Sequence, residues 1–361
     1  MSKASNAVLA LSRSFYGKSI SQKQYDELLS CRSSNEIAAY LKANTEYAGE
    51  IESSKLSDFP PRVLEDLVQK LRFSRFGALC RYELAVGDDF YKYFIIKTEI
   101  EQILHCTLLI FSKKTESYLL QVHPFVDRHL SIDLFALGRA DSLEEVAYCL
   151  EKTPYGKLYR RLVNDPFRSY LSFELAFSGF FEARLQKLIE KIGGKKERRA
   201  VFETAARSRD CKMLASLYRA LKYYPQRLDA LSGFIISSVS VSLFSERQRK
   251  KLAGCKTTQE LFAAIEKSPY KDWAGGDGDF EKELKRSLHS YCKKELRFSS
   301  YPPVVMLCYL ILSLDECTNL VRIIEGCKYG ISAQEIRKNL ILTDDENGDR
   351  TPTGSHRPAD G

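Results

Sequence analysis

The sequence predicts an all-α fold made of three similar helical domains, and three observations carry that prediction. One helix-start pattern occurs three times, an acidic landmark occurs three times at nearly the same period, and the stretches between them are overwhelmingly helical in pattern. The first pattern reads Ser33-Ser-Asn-Glu36-Ile37, then Ser142-Leu-Glu-Glu145-Val146, then Thr257-Thr-Gln-Glu260-Leu261. Its exits are Thr45-Glu-Tyr47, Thr153-Pro154-Tyr155 and Ser268-Pro269-Tyr270. The first copy has one extra residue before its Thr and lacks the proline.

Each position in this pattern has a physical reason. Ser or Thr followed three residues later by Glu is a capping box: the hydroxyl accepts from the N3 backbone N–H and the Glu reaches back to the cap. Ile37/Leu41, Val146/Leu150 and Leu261/Ile265 are i, i+4 apolar pairs, so one face of each helix packs inward. Pro154 and Pro269 disfavour helix at the residue before them, so the helix is expected to stop at Thr153 and Ser268. The tyrosine then supplies a large apolar ring with a hydroxyl that can reach a polar partner.

The acidic landmark reads Glu99-x-x-Gln102-Ile103, Asp210-x-x-Met213-Leu214 and Glu316-x-x-Asn319-Leu320. The tyrosines are spaced by 108 and 115 residues and the acids by 111 and 106, so the repeat unit is a whole domain. TPR and HEAT units, at roughly 34–47 residues, are too short to explain it. The expected division is residues 1–130, 131–240 and 241–342, followed by a tail over 343–361 that has no apolar anchor and is expected to be disordered.

Between the landmarks, Phe173–Ile192, Glu197–Arg219 and Phe280–Phe298 alternate apolar and charged residues at helical period, the first ended by Gly193-Gly194. Ser117–Val122 and Phe234–Leu243 are ambiguous with strand, and context favours helix in the second. Pro60-Pro61, Pro124, Pro225 and Pro302-Pro303 mark turns or helix starts. The apolar run Val304–Leu314 is about half the length of a membrane span and reads as a buried helix. The N-terminus lacks the pattern of a secretory signal, which points to a cytoplasmic protein.

Hydrophobic content of 44% and charged content of 28% are those of an ordinary globular protein. The net charge of +8 is uneven: residues after Leu342 carry −3, leaving +11 on the body. Ten cysteines without a C-x-x-C pair give neither a zinc site nor a disulfide framework. No phosphate-binding loop, nucleophile elbow or zinc-protease motif occurs. His105, His123, His129, His289 and His356 are scattered with no completed ligand set, so no metal, cofactor or catalytic residue is assigned. Glu99, Asp210 and Glu316 recur at domain period, which suits acids that satisfy a neighbouring Arg, Tyr or backbone group better than a reacting site. The basic runs Lys195–Arg199 and Arg247–Lys251 have acidic neighbours and no interleaved aromatics. They suit solvent, an acidic partner or lipid headgroups rather than nucleic acid.

These residues resemble the C subunit of bacterial and archaeal V/A-type ATPases, called subunit d in the eukaryotic enzymes. The resemblance rests on the recurring capping-box element with its T-P-Y exit, and on the three-domain period. It also rests on Glu316-x-x-Asn319-Leu320-x-x-Ile323-Ile324 followed by Gly330-Ile-Ser-Ala-Gln-Glu335-Ile336, and it spans residues 4–342. The third domain is the most typical; Gln102 and Met213 stand where the pattern has Asn. What the resemblance implies is a pseudo-three-fold funnel that works as a non-catalytic rotor subunit of the central stalk, without a cofactor. Such a subunit seats the D/F-type central shaft on the membrane c-ring and transmits torque for ion transport or ATP synthesis. It sits peripherally on the membrane through the complex, with the peripheral stalk or membrane stator subunit as a further contact. The other reading is a stand-alone helical scaffold or adaptor. The motif residues look like packing and capping positions, so they are signature residues and not assigned to the lining of the cavity.

Overall fold

The computed structural model describes residues 3–86, 90–113, 127–237, 241–271 and 280–342. Seventeen α-helices and no strand occur among them. They are α1 (Lys3–Gly17), α2 (Gln22–Leu29), α3 (Ser34–Asn44), α4 (Ala48–Ser53), α5 (Pro61–Val86), α6 (Lys92–Phe111), α7 (Leu134–Gly138), α8 (Leu143–Cys149) and α9 (Gly156–Val163). Then come α10 (Tyr170–Glu190), α11 (Lys195–Tyr223), α12 (Leu228–Ser237), α13 (Glu246–Ala253), α14 (Thr258–Ile265), α15 (Phe280–Phe298), α16 (Pro302–Lys328) and α17 (Ala333–Asn339). The stretch Ser117–Val122, Pro124, His123, His356 and the tail lie outside the described residues.

Short and long helices divide the work. The six inward apolar residues of α3, α8 and α14 (Ile37, Leu41, Val146, Leu150, Leu261 and Ile265) are all fully buried. Two short-helix groups close apolar clusters of their own, and the third joins a larger shared one. Ile37, Leu41 and Tyr47 pack with Leu64 of α5 and with Cys317, Leu320 and Ile323 of α16. Val146, Leu150 and Tyr155 pack with Ile103 of α6 and with Phe173 and Phe177 of α10. Leu261, Ile265 and Tyr270 join the largest cluster, where α11, α15 and α16 also meet α1 and α5. The long helices pair as α6 with α10, α11 with α15, and α16 with α5. The last pair joins the C-terminal part of the chain to the N-terminal part, and α1 lies along both of its members.

Helix ends follow local chemistry. In the copy without proline, α3 runs on to Asn44 and is capped by Thr45. In the proline copies the helix stops earlier than expected, at Cys149 and at Ile265. There the Thr153 and Ser268 amides close turns onto Leu150 and Ile265 at 2.9 Å, since proline offers no N–H with which to continue the ladder. Pro61 and Pro302 open α5 and α16 as first-turn residues. The helical expectation for Phe234–Leu243 holds only to Ser237; residues 241–244 lie outside any helix. In α16, one window is long and apolar enough for a membrane span, yet 67% of it is buried inside the protein.

Gly156 shows how closely a tyrosine exit packs. A methyl group there would lie 2.5 Å from the Leu150 carbonyl oxygen and 2.8 Å from that of Glu151, both backbone atoms that cannot swing away. Gly49, two residues after Tyr47, has open space around it. Gly156→Ala is expected to destabilise the protein by about 1–3 kcal/mol, and Gly49→Ala to leave stability unchanged or slightly raised. Chemical denaturation of the two variants side by side checks this.

Candidate functional site: buried tyrosine–carboxylate units and a charged cluster

The short helices begin as capping boxes with one difference from expectation. Ser33, Ser142 and Thr257 accept from the backbone N–H of Glu36, Glu145 and Glu260 at 3.1, 3.2 and 3.2 Å. The glutamates do not reach the cap residue itself. They accept from the amide one residue further out, on Arg32, Asp141 and Lys256, at 2.8, 2.8 and 2.7 Å. Each carboxylate, an acceptor only, thus ties the incoming loop to the first helical turn. At the exits, Thr45, Thr153 and Ser268 accept from the amides of Tyr47, Tyr155 and Tyr270 at 3.2, 3.2 and 3.0 Å, a hydroxyl turn that aims the ring.

The rings converge on the acidic landmarks. The Tyr47 hydroxyl donates to Glu316 Oε1 at 2.8 Å, that of Tyr155 donates to Glu99, and that of Tyr270 donates to Asp210 Oδ2 at 2.6 Å. Each acid also accepts a backbone amide from the segment leading into its short-helix group. Ile20 donates to Glu316 at 2.9 Å, Ser131 to Glu99, and Leu243 to Asp210 at 2.9 Å. Ser242 adds a hydroxyl to Asp210 at 2.8 Å. Burial, and then the adjacent acid, raise all three tyrosine pKa values well above the ordinary value, so the phenols stay neutral donors.

The partnership is offset in sequence. Glu99 and Asp210 hold the tyrosine of the copy that follows them, and Glu316 holds the tyrosine of the first copy. Pro154 and Pro269 lie between the hydroxyl residue and the tyrosine of their exits in sequence. Asn319, one turn beyond Glu316, accepts from the Ile341 amide at 2.8 Å and donates to its carbonyl at 3.0 Å, clasping the C-terminal segment onto α16. At the matching positions Met213 receives the Arg209 guanidinium at 3.0 Å, and Gln102 is buried on α6. An arginine accompanies each tyrosine–carboxylate unit. Arg209 bonds Asp210 at 3.0 Å and Glu182 at 2.9 Å, while Arg75 and Arg184 lie within electrostatic reach of the Glu316–Tyr47 pair and of Tyr155.

Three further capping boxes are not among the sequence expectations. Ser169 with Ser172 opens α10, and Ser21 with Gln24 and Ser245 with Gln248 open α2 and α13, where the glutamine amides reach on to the Asn44 and Lys267 carbonyls. The S-x-x-Q spacing is the signal for α2 and α13.

Away from these units, charge converges where α5, α6, α11, α15 and α16 approach. Lys97 of α6 lies within electrostatic reach of Glu101, Lys212, Arg72 and Asp315. Lys285 of α15 lies within reach of Arg322, Glu281, Asp315 and Arg219. The two sets, each with two acids and two cations around its lysine, share Asp315. Asp315 also pairs with His289 Nδ1 at 2.8 Å. Burial lowers the pKa of Lys97 to about 8 and lowers those of Lys285 and Arg322. The cluster keeps contact with solvent: the Lys97 side chain is 17% exposed and Glu101 49%. Next to it, a cavity of about 260 Å³ is lined by Tyr16, Ser19, His289, Lys293 and Arg297. His105 and His129 are exposed, and among the described residues no His, Cys, Asp and Glu side chains gather as a metal site.

Both oxygens of each buried acid accept hydrogen bonds from the protein itself, within an all-helical framework among the described residues. Residues 8–339 match the family described as ATP synthase (C/AC39) subunit, and the chain belongs to that family. Members of that family are structural, non-catalytic subunits of rotary ATPases. No curated protein matches the chain significantly.

Two outcomes follow from these contacts. Glu316→Gln turns one acceptor oxygen into a donor that faces either the Tyr47 hydroxyl or the Ile20 amide, and should cost about 1–3 kcal/mol of stability. A double-mutant cycle with Tyr47→Phe should show the two effects to be non-additive. Lys97 has a folded pKa below its ordinary 10.5, so between about pH 8 and 10.5 the unfolded chain holds a proton that the folded chain does not. This group makes stability rise with pH in that window. Lys97→Met should flatten the rise and stabilise the protein at pH 7 by on the order of 1–3 kcal/mol, measurable by denaturation across pH.

Proposed function

We propose that this chain is the rotor-coupling subunit that seats the central shaft of the rotary ATPase on its membrane ring and transmits torque. The observation that carries the reading is the basic cluster of Arg72, Lys97, Lys212, Arg219, Lys285 and Arg322, contributed by helices from both halves of the chain. Holding like charges together lowers stability, and such groups concentrate where a partner uses them. An acidic foot on the shaft, of the D/F type, would neutralise the surplus on docking and gain contacts that bulk water cannot offer as well.

The helix arrangement supports the same reading. Three tyrosine–carboxylate units, each joining a short-helix group to a long helix, suit three similar domains (1–130, 131–240 and 241–342 in sequence) closed around a pseudo-three-fold funnel. The offset partnership of acid and tyrosine would knit adjacent sequence repeats together and let the last repeat grip the first. A funnel so closed can carry torque between shaft and ring on the cytoplasmic face without a membrane anchor of its own. Contact with a peripheral stalk or membrane stator subunit would fall on its outer surface.

Co-purification tests this directly. The chain should bind the shaft subunits and the c-ring at low salt, and shaft binding should weaken steeply as salt screens the cluster. The double charge reversal Lys97→Glu/Lys285→Glu should weaken shaft capture at least tenfold, equivalent to about 1.4 kcal/mol, while ring binding persists. A chain that stays monomeric at low salt with both partners present would defeat the proposal.

A further inference from the structure

The seam where the two ends of the chain meet carries a pair of thiols. Cys31 lies in the turn between α2 and α3, and Cys327 in the last turn of α16. The Cys327 sulfur is 3.8 Å from the Cys31 carbonyl oxygen, and both residues are half-buried. Two other cysteine pairs differ in access: Cys292 and Cys308 are both buried, and Cys149 neighbours a buried Cys106. A dissolved oxidant therefore reaches both members of the Cys31–Cys327 pair and not both members of either other pair. The same seam holds the Tyr47–Glu316 and Ile20–Glu316 bonds and the Arg337–Asp26 ion pair.

We propose that Cys31 and Cys327 form a reversible disulfide that locks the N-terminal short-helix group onto α16. Hydrogen peroxide is the oxidant. The first sulfur, as thiolate, takes one peroxide oxygen as the O–O bond breaks, giving a sulfenic acid and, with one proton, water. The second sulfur attacks that sulfenic sulfur, loses its proton and expels hydroxide, which leaves as a second water. Two thiols give up two electrons and two hydrogens in all. Burial and the neighbouring Glu36 raise both thiol pKa values, so few thiolates exist at neutral pH and the lock closes under sustained peroxide. A dithiol reductant reopens it. The proposal stands apart from the shaft-seating reading, since it concerns contacts within the chain.

The test uses the full chain, treated with hydrogen peroxide, alkylated, and analysed by intact mass and by non-reduced digestion. The expected result is a loss of two hydrogen atoms, one cross-linked peptide pair containing Cys31 and Cys327, and reversal by dithiothreitol. Cys31→Ser and Cys327→Ser should each abolish the cross-link, with Cys327→Ala as the substitute if serine there does not fold. Amide exchange at Ile20 and Tyr47 should slow at least about tenfold in the oxidised protein and stay unchanged in the variants. Oxidation to sulfinic acid without a cross-link, a cross-link through other cysteines or between molecules, or a cross-link that leaves seam exchange unchanged would each overturn the proposal.

Discussion

The carboxylate of Glu316 accepts the Tyr47 hydroxyl and the Ile20 amide from a part of the chain nearly three hundred residues away, and the closure of the molecule depends on that bond. A buried acid without partners costs several kcal/mol, whereas one with both oxygens engaged costs little. The large asymmetry makes the acid selective. Apolar faces of the short-helix groups would tolerate several placements on a long helix, but one placement alone brings a phenol and an amide to the acid. Glu99 and Asp210 impose the same condition on the second and third groups.

Sequence separation makes the three bonds unequal. Tyr155 and Tyr270 close loops of 56 and 60 residues, while Tyr47 closes one of 269. On the three-halves RT ln n scaling, the long closure costs roughly 1.3 kcal/mol more. Additional contacts gather at that seam. Asn319 clasps Ile341, Arg337 pairs with Asp26, and Arg13 of α1 donates to the Leu296 and Ser299 carbonyls at the end of α15. The last of these also sets a cation at a helix C-terminus, where the helix dipole favours it.

Much of this was legible in the sequence because it is local. Capping boxes, apolar pairs four residues apart and proline-marked exits are read within a dozen residues, and the period was visible because both landmarks recur. Partner choice was not legible. A period of about 110 residues is equally compatible with an acid holding the tyrosine before it or the one after it, and only the packing of α6 on α10, α11 on α15 and α16 on α5 decides. The early ends of α8 and α14 were missed because proline acts on the preceding turn as well as on its immediate neighbour. The charged cluster left no local signal at all, since Arg72, Lys97, Lys212, Lys285 and Arg322 come from five helices and each looks like a solvated surface residue in its own segment.

The two kinds of charged site differ in the way that separates holding from contact. Around Glu99, Asp210 and Glu316 the polar groups are matched donor to acceptor, and little is left to offer a partner. Around Lys97, two further cations, Arg72 and Lys212, stand with the two acids Glu101 and Asp315, and burial lowers the lysine pKa to about 8. The unbalanced arrangement lowers the stability of the isolated chain, and replacing Lys97 by an apolar residue would relieve it. Any partner that brings negative charge relieves it as well, and gains affinity from the same imbalance. Three of the five helices that carry the cations, α6, α11 and α16, also carry one of the matched buried acids, so those helices are held by bonds that do not involve the cluster.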